Sequence, residues 1–449
     1  MILKSINPYT KEVLEEYKVM SEAELSRKLE LGNKTFKSWK TGERSSKMQN
    51  LGHLLIKNKT QLARLVTAEM GKILREAEAE VEKSALTVNY YIEHQDEFLS
   101  PRMISTDARE SYIRFDPLGV ILAIMPWNFP FWQVLRFAIP TILCGNVVVL
   151  KHASNVTGCA LALEKLFLEA GFPEGVFQTL IVDSGNMEMI ISSPLVRGVT
   201  LTGSNKAGSS VAGLAGKYIK KSVLELGGSD PFIVLNDADI AKAAETAVRS
   251  RFQNAGQTCI AAKRWIVESK VAAEFTEKVS AAVGKLSQGN PLLSSTHLGP
   301  LAKPDLAESL ARQIAFLKKE NNELLTGGTY EDCNFQPTLI AMNKDRKSVF
   351  NEETFGPLAC IYEARNEQEA IDFANETTFG LGASIWTGDL EKGKRLAELI
   401  ESGFVSVNNM VKSDPKLPFG GVKDSGYGRE LSYFGMHEFT NVKSVWVDA

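Results

Sequence analysis

The sequence predicts an α/β protein, two parallel α/β units behind a helical amino-terminal layer, and three changes of pattern along the chain predict it. Residues 21–97 set apolar side chains such as Leu51, Leu54, Leu55 and Leu62 at three- and four-residue spacing among charged ones, the period of amphipathic helices. From Gly119 onward, short apolar, β-branched runs are each followed by a Gly, Pro or polar break and then a helical stretch. That alternation marks a parallel sheet with crossover helices. A second alternating region begins near Asp230.

In the first unit, strands are predicted at Val120–Met125, 147–150, 198–201 and 222–226. Each leads into polar or glycine-rich chain: Pro126-Trp127-Asn128, Lys151, Thr202-Gly203-Ser204 and Glu225-Leu226-Gly227-Gly228. Open parallel sheets bind ligands beyond the carboxyl ends of their strands, so these segments are expected to converge on one crevice. The Gly-x-Gly-x-x-Gly fingerprint is missing after a strand predicted to end near Val182, where the chain reads Asp183-Ser184-Gly185-Asn186. The second unit is predicted to hold a strand at 232–235, a helix at Ile240–Phe252 and a strand at 264–267. The apolar stretch 115–150 is not predicted to cross a membrane: Pro126, Pro130 and Pro140 are expected to break it, and Asn128, Gln133 and Arg136 are polar intrusions.

Composition removes several classes of function. With 51 Lys+Arg against 54 Asp+Glu, the formal charge of -3 provides no basic field for nucleic acid or an anionic membrane. The five cysteines are odd in number, far apart and without Cys-x-x-Cys spacing, which argues against a disulfide framework or structural zinc. The five histidines show no ligand-like clustering, so no metal is expected and each reads as a surface or capping residue. Residues 1–9 lack an apolar signal core, and a cytoplasmic location is the expectation.

Three segments carry chemistry. Gln253-Asn254-Ala255-Gly256-Gln257-Thr258-Cys259 leads small and polar residues into one cysteine; alone, Cys259 reads as a buried structural thiol. Glu225 at a strand end, before Gly227-Gly228, can serve as a base beside bare backbone, although a lone Glu is usually a solvated charge. In Pro126-Trp127-Asn128-Phe129-Pro130 an amide is held between prolines and aromatics. Facing a reacting carbonyl, the Asn128 N–H would stabilise a developing oxyanion by about 3 to 4 kcal/mol; otherwise it is an ordinary turn residue.

Together these segments resemble the aldehyde dehydrogenase superfamily, as do Glu353-Thr354-Phe355-Gly356-Pro357 and Pro418-Phe419-Gly420-Gly421-Val422-Lys423, in the family's order and from Asn7-Pro8 to the carboxyl terminus. The resemblance implies two doubly wound α/β domains with a small β oligomerisation segment. Residues 1–98 and 118–226 would bind the dinucleotide and 227–425 would form the catalytic domain. Residues 99–117 and 426–449 would build a homo-oligomer, dimer or tetramer, with 102–115 pairing against 442–447 of a neighbour. It further implies that Cys259 attacks the aldehyde, that the Asn128 side chain and the Cys259 backbone N–H hold the oxyanion, and that Glu225 activates the water that hydrolyses the thioester. Ile124 and Trp127 match positions lining the cofactor channel, Lys151 the adenosine ribose contact, Gly203 with Ser204 the turn near the pyrophosphate, Leu226 a further cofactor position, and Glu353 and Phe355 the nicotinamide contacts. Without the resemblance, Lys151 reads as a solvated strand-end charge, Ser204 as a helix cap and Phe355 as core packing. Ser154 stands where members preferring NAD commonly carry Glu, which would repel a 2′-phosphate, so NADP is the expected preference with NAD retained. No cysteine neighbours Cys259, which excludes a vicinal disulfide switch.

Lys151-His152-Ala153-Ser154-Asn155, Ala261-Ala262-Lys263-Arg264 and Lys412-Ser413-Asp414-Pro415 resemble the shorter succinate-semialdehyde dehydrogenases. That likeness implies a clamp for a distal carboxylate from Arg136 and Ser413, although Gln253 stands where some of those enzymes carry a second arginine. Arg136 lies in an apolar stretch and needs a partner, either a protein carboxylate or the substrate. Another small or hydroxylated aldehyde, or a silent binding protein on the same scaffold, are the competing readings. A Ser-His-Asp hydrolase lacks its Gly-x-Ser-x-Gly elbow.

Overall fold

Because open parallel sheets bind at the carboxyl edge, strand order decides where a ligand can enter. The computed structural model describes residues 1–39, 41–343 and 352–448. Across the first sheet run Phe177–Thr179, Val147–His152, Val120–Met125, Val196–Thr202 and Lys221–Glu225, all parallel, with Gly426–Tyr427 added antiparallel at the edge. Along the chain these strands proceed outward from Val120–Met125 in one direction, then resume at Val196–Thr202 on its other side. At such a reversal the connecting chains depart to opposite faces and leave a crevice. The two loops at its mouth are Pro126-Trp127-Asn128 and Gly203-Ser204.

The predicted strands are present: Val120–Met125 has its predicted bounds, 147–150 and 198–201 extend to Val147–His152 and Val196–Thr202, and 222–226 shifts by one residue to Lys221–Glu225, which leaves Leu226 outside the strand. Helices cover both faces, so Val147, Val148, Val149 and Leu150 are all buried, as a two-sided parallel strand requires. A second, seven-stranded sheet orders Glu323–Thr326, Thr338–Ala341, Leu358–Ala364, Ala262–Glu268, Asp230–Val234, Gly382–Trp386 and Phe404–Val407; only the first is antiparallel to its neighbour. Each sheet has its own hydrophobic core. The helix predicted at Ile240–Phe252 has those bounds.

The amino-terminal layer resolves into the helices Glu22–Ser38, Arg44–Lys57, Lys59–Met70 and Leu74–Leu99. Ser21 and Glu24 form a reciprocal capping box at the first, and Gly71, at φ 80°, ends the third. Among the described residues no helix is long and apolar enough to cross a membrane.

Three expectations are corrected. Pro140 does not break its segment: it lies inside the helix Trp132–Leu143, where Cys144 N–H still donates to its carbonyl. A proline removes only its own N–H bond, and this one falls in the last turn, in a helix whose every residue is buried. The strand predicted to end near Val182 stops at Thr179; one more bond, Leu180 N–H to Leu150 O, holds before the chain turns into the 3₁₀ helix Ser184–Asn186 under the Asp183 cap. The segment 442–447 pairs within its own chain rather than with a neighbour: Thr440–Val447 runs antiparallel to Glu110–Pro117 over eight register pairs. The helix Ser432–His437 returns the chain beside that strand, and the local partner is already in place.

A buried ion pair anchors the loop above the crevice. Glu80 Oε2 pairs with Lys72, and both side chains are almost wholly shielded from solvent. Glu80 Oε1 accepts from the N–H groups of Phe131 (2.8 Å) and Trp132 (3.0 Å) at the start of Trp132–Leu143, so a carboxylate meets the positive end of a helix. Lys72→Met leaves that carboxylate without its cation and is expected to cost about 3–5 kcal/mol, read as a lower urea midpoint. Lys11→Met removes the exposed pair with Asp332 and should leave the midpoint unchanged. Equal shifts in the two variants would show that burial does not set the value of the Lys72–Glu80 pair.

Candidate active site

The turn before Cys259 holds three successive left-handed residues, Asn254 (φ 53°), Ala255 (φ 51°) and Gly256 (φ 75°). Left-handed backbone costs a non-glycine residue roughly 1–2 kcal/mol, so neighbours must impose it. Asn254 N–H donates to Glu76 Oε2 (2.9 Å), and its side-chain amide donates to the carbonyls of Asn128 (2.9 Å) and Gln257 (3.2 Å). Gln257 Nε2 donates to Asn254 O, and Gln257 Oε1 accepts from Ala302 N–H. At Gly256 a Cβ would stand 2.3 Å from Gly356 O, which leaves room only for glycine. Arg251, buried in the last turn of the helix Ile240–Phe252, donates to the carbonyls of Gly256, Thr354, Gly356 and Leu358 and so ties the nucleophile turn to the 353–357 loop.

Asn128 faces this turn. Its Nδ2 donates to Gln257 O (2.9 Å), and its backbone carbonyl receives Asn254. Behind it, buried His152 holds the loop: Nε2 lies 3.0 Å from Pro130 O, and Nδ1 lies 3.1 Å from Met125 O and 3.0 Å from Ala153 N. Burial pushes the imidazole down to about 4 against the pull of those two carbonyls, which favours the neutral ring. His152 is therefore neither a surface nor a helix-capping residue, a correction to the expectation from sequence.

Two cavities meet at Cys259. One, of about 250 Å³, is lined by Trp127, Asn128, Gly203, Ser204, Leu226, Gly227, Glu353 and Phe355. The other, of about 170 Å³, is lined by Lys83, Trp132, Arg136, Gln253, Met410, Lys412 and Ser413. Cys259 and Gln133 belong to both walls.

Burial pushes the Cys259 thiol up to about 11, against the opposing pull of Arg136 and Lys263. Glu225 ends its strand with its carboxyl buried and, among the described residues, without a hydrogen-bond donor. Burial raises it well above the ordinary carboxylate range, Glu430 raises it further, and Arg136 and Arg429 draw it back. Arg136 itself is ion-paired with buried Glu430, donates to Thr202 Oγ1 at 3.4 Å and lies over the Phe419 ring. Its partner is thus a protein carboxylate, although Arg136 still lines the cavity with Lys83 and Ser413.

The signature of the aldehyde dehydrogenase family spans residues 2–445. The chain belongs to the aldehyde dehydrogenase family. It is 44% identical over its whole length, and over the whole of the relative, to a probable succinate-semialdehyde dehydrogenase [NADP(+)] from Synechocystis sp.. It is 42% identical to the succinate semialdehyde dehydrogenase [NAD(P)+] Sad of Escherichia coli, covering 99% of this chain and 97% of that one. Succinic semialdehyde dehydrogenase from Streptococcus pyogenes, solved with NADP+, superposes with a TM-score of 0.96 at 36% identity, covering all of both chains. The activity of this aldehyde dehydrogenase is NAD(P)-dependent aldehyde oxidation.

The cavity lined by Trp127, Gly203 and Phe355 suits a dinucleotide. The helix Asn205–Lys217 begins at its wall, with Ser204 accepting from Ala207 N–H, and a helix amino terminus with free N–H groups favours a pyrophosphate. Bare backbone at Gly227, where a Cβ would stand 2.4 Å from Glu353 Oε2, lets a ligand lie close. Trp127 and Phe355 meet edge to face at 5.7 Å, and Glu353 Oε1 is fixed by Gly228 N–H (3.1 Å) and Lys263 Nζ (2.9 Å). Of the residues expected from sequence to bind the cofactor, Ile124, Lys151 and Ser154 stand outside this wall. Ile124 and Lys151 are register partners at adjacent strand ends, and Ser154 opens the 3₁₀ turn that follows. Burial, then nearby Lys303, lowers Lys151. Asn128 shares a cavity with Cys259, whereas Glu225 lines neither cavity.

Sequence reading missed Glu76, Glu80, Arg251, Glu430 and Lys83, which lie among residues whose local pattern is ordinary and which only the fold brings to the site. Asn254 and His152 lie inside the Cys259 and Lys151 segments, but their bracing hydrogen bonds were not legible there. Gly256→Ala is expected to lower activity more than a hundredfold while far-UV circular dichroism is retained, since the turn must re-form around an impossible Cβ; near-normal turnover would reject that constraint. A thiol raised to about 11 gives a thiolate fraction that climbs about tenfold per pH unit below that value. Alkylation of Cys259 in the cofactor-free enzyme should accordingly keep accelerating past pH 9, and a plateau near neutrality would contradict the burial argument.

Proposed function

We propose that this aldehyde dehydrogenase oxidises succinate semialdehyde to succinate, with NADP preferred and NAD retained, through a thioester on Cys259. The observation that carries the reading is the position of Cys259 in the common wall of two cavities, one suited to a dinucleotide and one lined by cations. When bound, the dinucleotide supplies the hydride acceptor. Cys259 releases its proton to water in the cavity, and the thiolate attacks the aldehyde carbonyl lying on the Arg136 and Ser413 side. Asn128 Nδ2 has two hydrogens; Gln257 O takes one, and the other, with the Cys259 backbone N–H, receives the oxyanion. Loss of hydride from that tetrahedral adduct leaves the thioester. Glu225 then takes a proton from the attacking water, and burial makes it a stronger proton acceptor than a solvated carboxylate.

Trp127, Gly203, Ser204, Leu226, Glu353 and Phe355 are assigned to the cofactor on the cavity they share, with Ile124 beside them. Lys151 and Ser154 are assigned to the adenosine ribose; Ser154 presents no carboxylate to repel a 2′-phosphate, and Lys151 and Lys303 supply positive charge. Arg136 and Ser413, on the wall of the other cavity, are assigned to the substrate end. Residues 1–98 and 118–226 are assigned as the dinucleotide-binding domain and 227–425 as the catalytic one. Residues 99–117 and 426–449 are assigned to homo-oligomer formation, supported by the exposed apolar side chains of Met103, Ile104, Val442 and Trp446. The Arg136–Glu430 pair supports a second reading, a small uncharged or hydroxylated aldehyde, because it leaves that arginine already satisfied.

A panel of succinate semialdehyde and uncharged aldehydes against both cofactors separates these readings. The first predicts the highest kcat/KM for succinate semialdehyde with NADP; a preference for butanal or for NAD would defeat the corresponding half. Glu225→Gln should give one rapid burst of reduced cofactor followed by slow turnover, and Cys259→Ala should give neither. Full steady-state activity in either variant would reject its assigned role.

A further inference from the structure

The cations around the cavity lined by Trp132 and Ser413 are not equivalent. Arg136 is paired with Glu430. Lys412 is exposed. Lys83, on the helix Leu74–Leu99, is partly buried and reaches the cavity one turn beyond Glu80. Its Nζ donates to Ser413 Oγ at 2.7 Å and lies 4.1 Å from the centre of the Trp132 ring. Among the described residues it forms no ion pair, since Glu80 is committed to Lys72 and to two backbone amides.

An ammonium has three hydrogens, and Ser413 takes one of them. A ring face stabilises the cation without neutralising it. A sheltered charge of this kind is costly to maintain, and an anion entering the cavity would offset that cost. We infer that Lys83, with the Ser413 hydroxyl it holds, directly binds the distal carboxylate of the semialdehyde, while Arg136 contributes from behind through its pair with Glu430. The inference rests on the succinate-semialdehyde reading above and moves the main ionic contact from Arg136 to a residue outside every motif of the sequence. Trp132 gives the clamp a flat apolar side against which the methylene chain can lie.

The charge balance agrees with this placement. Burial pushes Lys83 down to about 8; Arg136 and Lys412 lower it, and Asp414 and Glu80 oppose them. The lysine of the free enzyme is therefore charged below about pH 8 and loses its proton above it. Specificity for a charged over an uncharged aldehyde should fall across that interval.

The test compares kcat/KM for succinate semialdehyde and for butanal, an uncharged aldehyde of the same length, in the wild type, Lys83→Met and Lys83→Arg. A hydrogen bond to a charged group sets the expected scale, so Lys83→Met should reduce the semialdehyde-to-butanal ratio by about 10- to 100-fold, chiefly through KM. Lys83→Arg should recover part of it. The wild-type ratio should decline above pH 8 and the Lys83→Met ratio should not. Succinate, used as a competitive inhibitor of butanal oxidation, is the second probe, and its inhibition should weaken in Lys83→Met. A wild type that favours butanal while succinate inhibition still depends on Lys83 would overturn the substrate reading and keep the anion site. A semialdehyde-to-butanal ratio and a succinate inhibition both unaffected by Lys83→Met would overturn the inference itself.

Discussion

The reciprocal hydrogen bonding between Asn128 and the turn at 254–257 is the constraint on which the site depends. Asn128 lies on a loop leaving the first sheet, and the turn lies between two strands of the second, so the clasp joins two separately cored halves where Cys259 emerges. Each half is braced from its own side. His152 and Glu80 fix the Asn128 loop; Arg251, Glu76 and Gly256 fix the turn. An oxyanion donor misplaced by an ångström loses most of its effect, which explains why so many buried polar groups converge on two short segments.

The same bracing shapes the electrostatics. Excluding water raises the cost of every unpaired charge, and most charges near the site answer with a partner: Lys72 with Glu80, Arg136 with Glu430, Lys263 with Glu353. Cys259, Glu225 and Lys83 are left without one among the described residues. The first two are pushed toward their neutral forms by burial, and so is the lysine. A titratable group perturbed by burial and a specific charged neighbour is a candidate for chemistry. Here the three would meet the aldehyde carbon, the hydrolytic water and the far end of the substrate.

Much of the fold was legible because parallel strands buried on both faces write themselves as apolar runs. Val120–Met125 and the helix Ile240–Phe252 have the bounds their patterns predict. The failures share a physical cause. Pro140 survives inside a helix because surrounding packing overrides its local cost, and 442–447 finds its strand partner in its own chain because pairing is a tertiary property. At the site, Cys259, Asn128 and Glu225 were legible through motifs. Lys83, Glu80 and Arg251 were not: on a helix of ordinary amphipathic pattern a functional lysine looks like a solvated one, and only the facing Ser413 and Trp132 distinguish it.

The central claim is the covalent route through Cys259. Its most direct test is mass spectrometry of Glu225→Gln enzyme, acid-quenched shortly after mixing with succinate semialdehyde and NADP, followed by peptide mapping. The account predicts one succinyl group per chain, located on Cys259. Reduced cofactor formed in stoichiometric amount with no acyl group on that residue would contradict it.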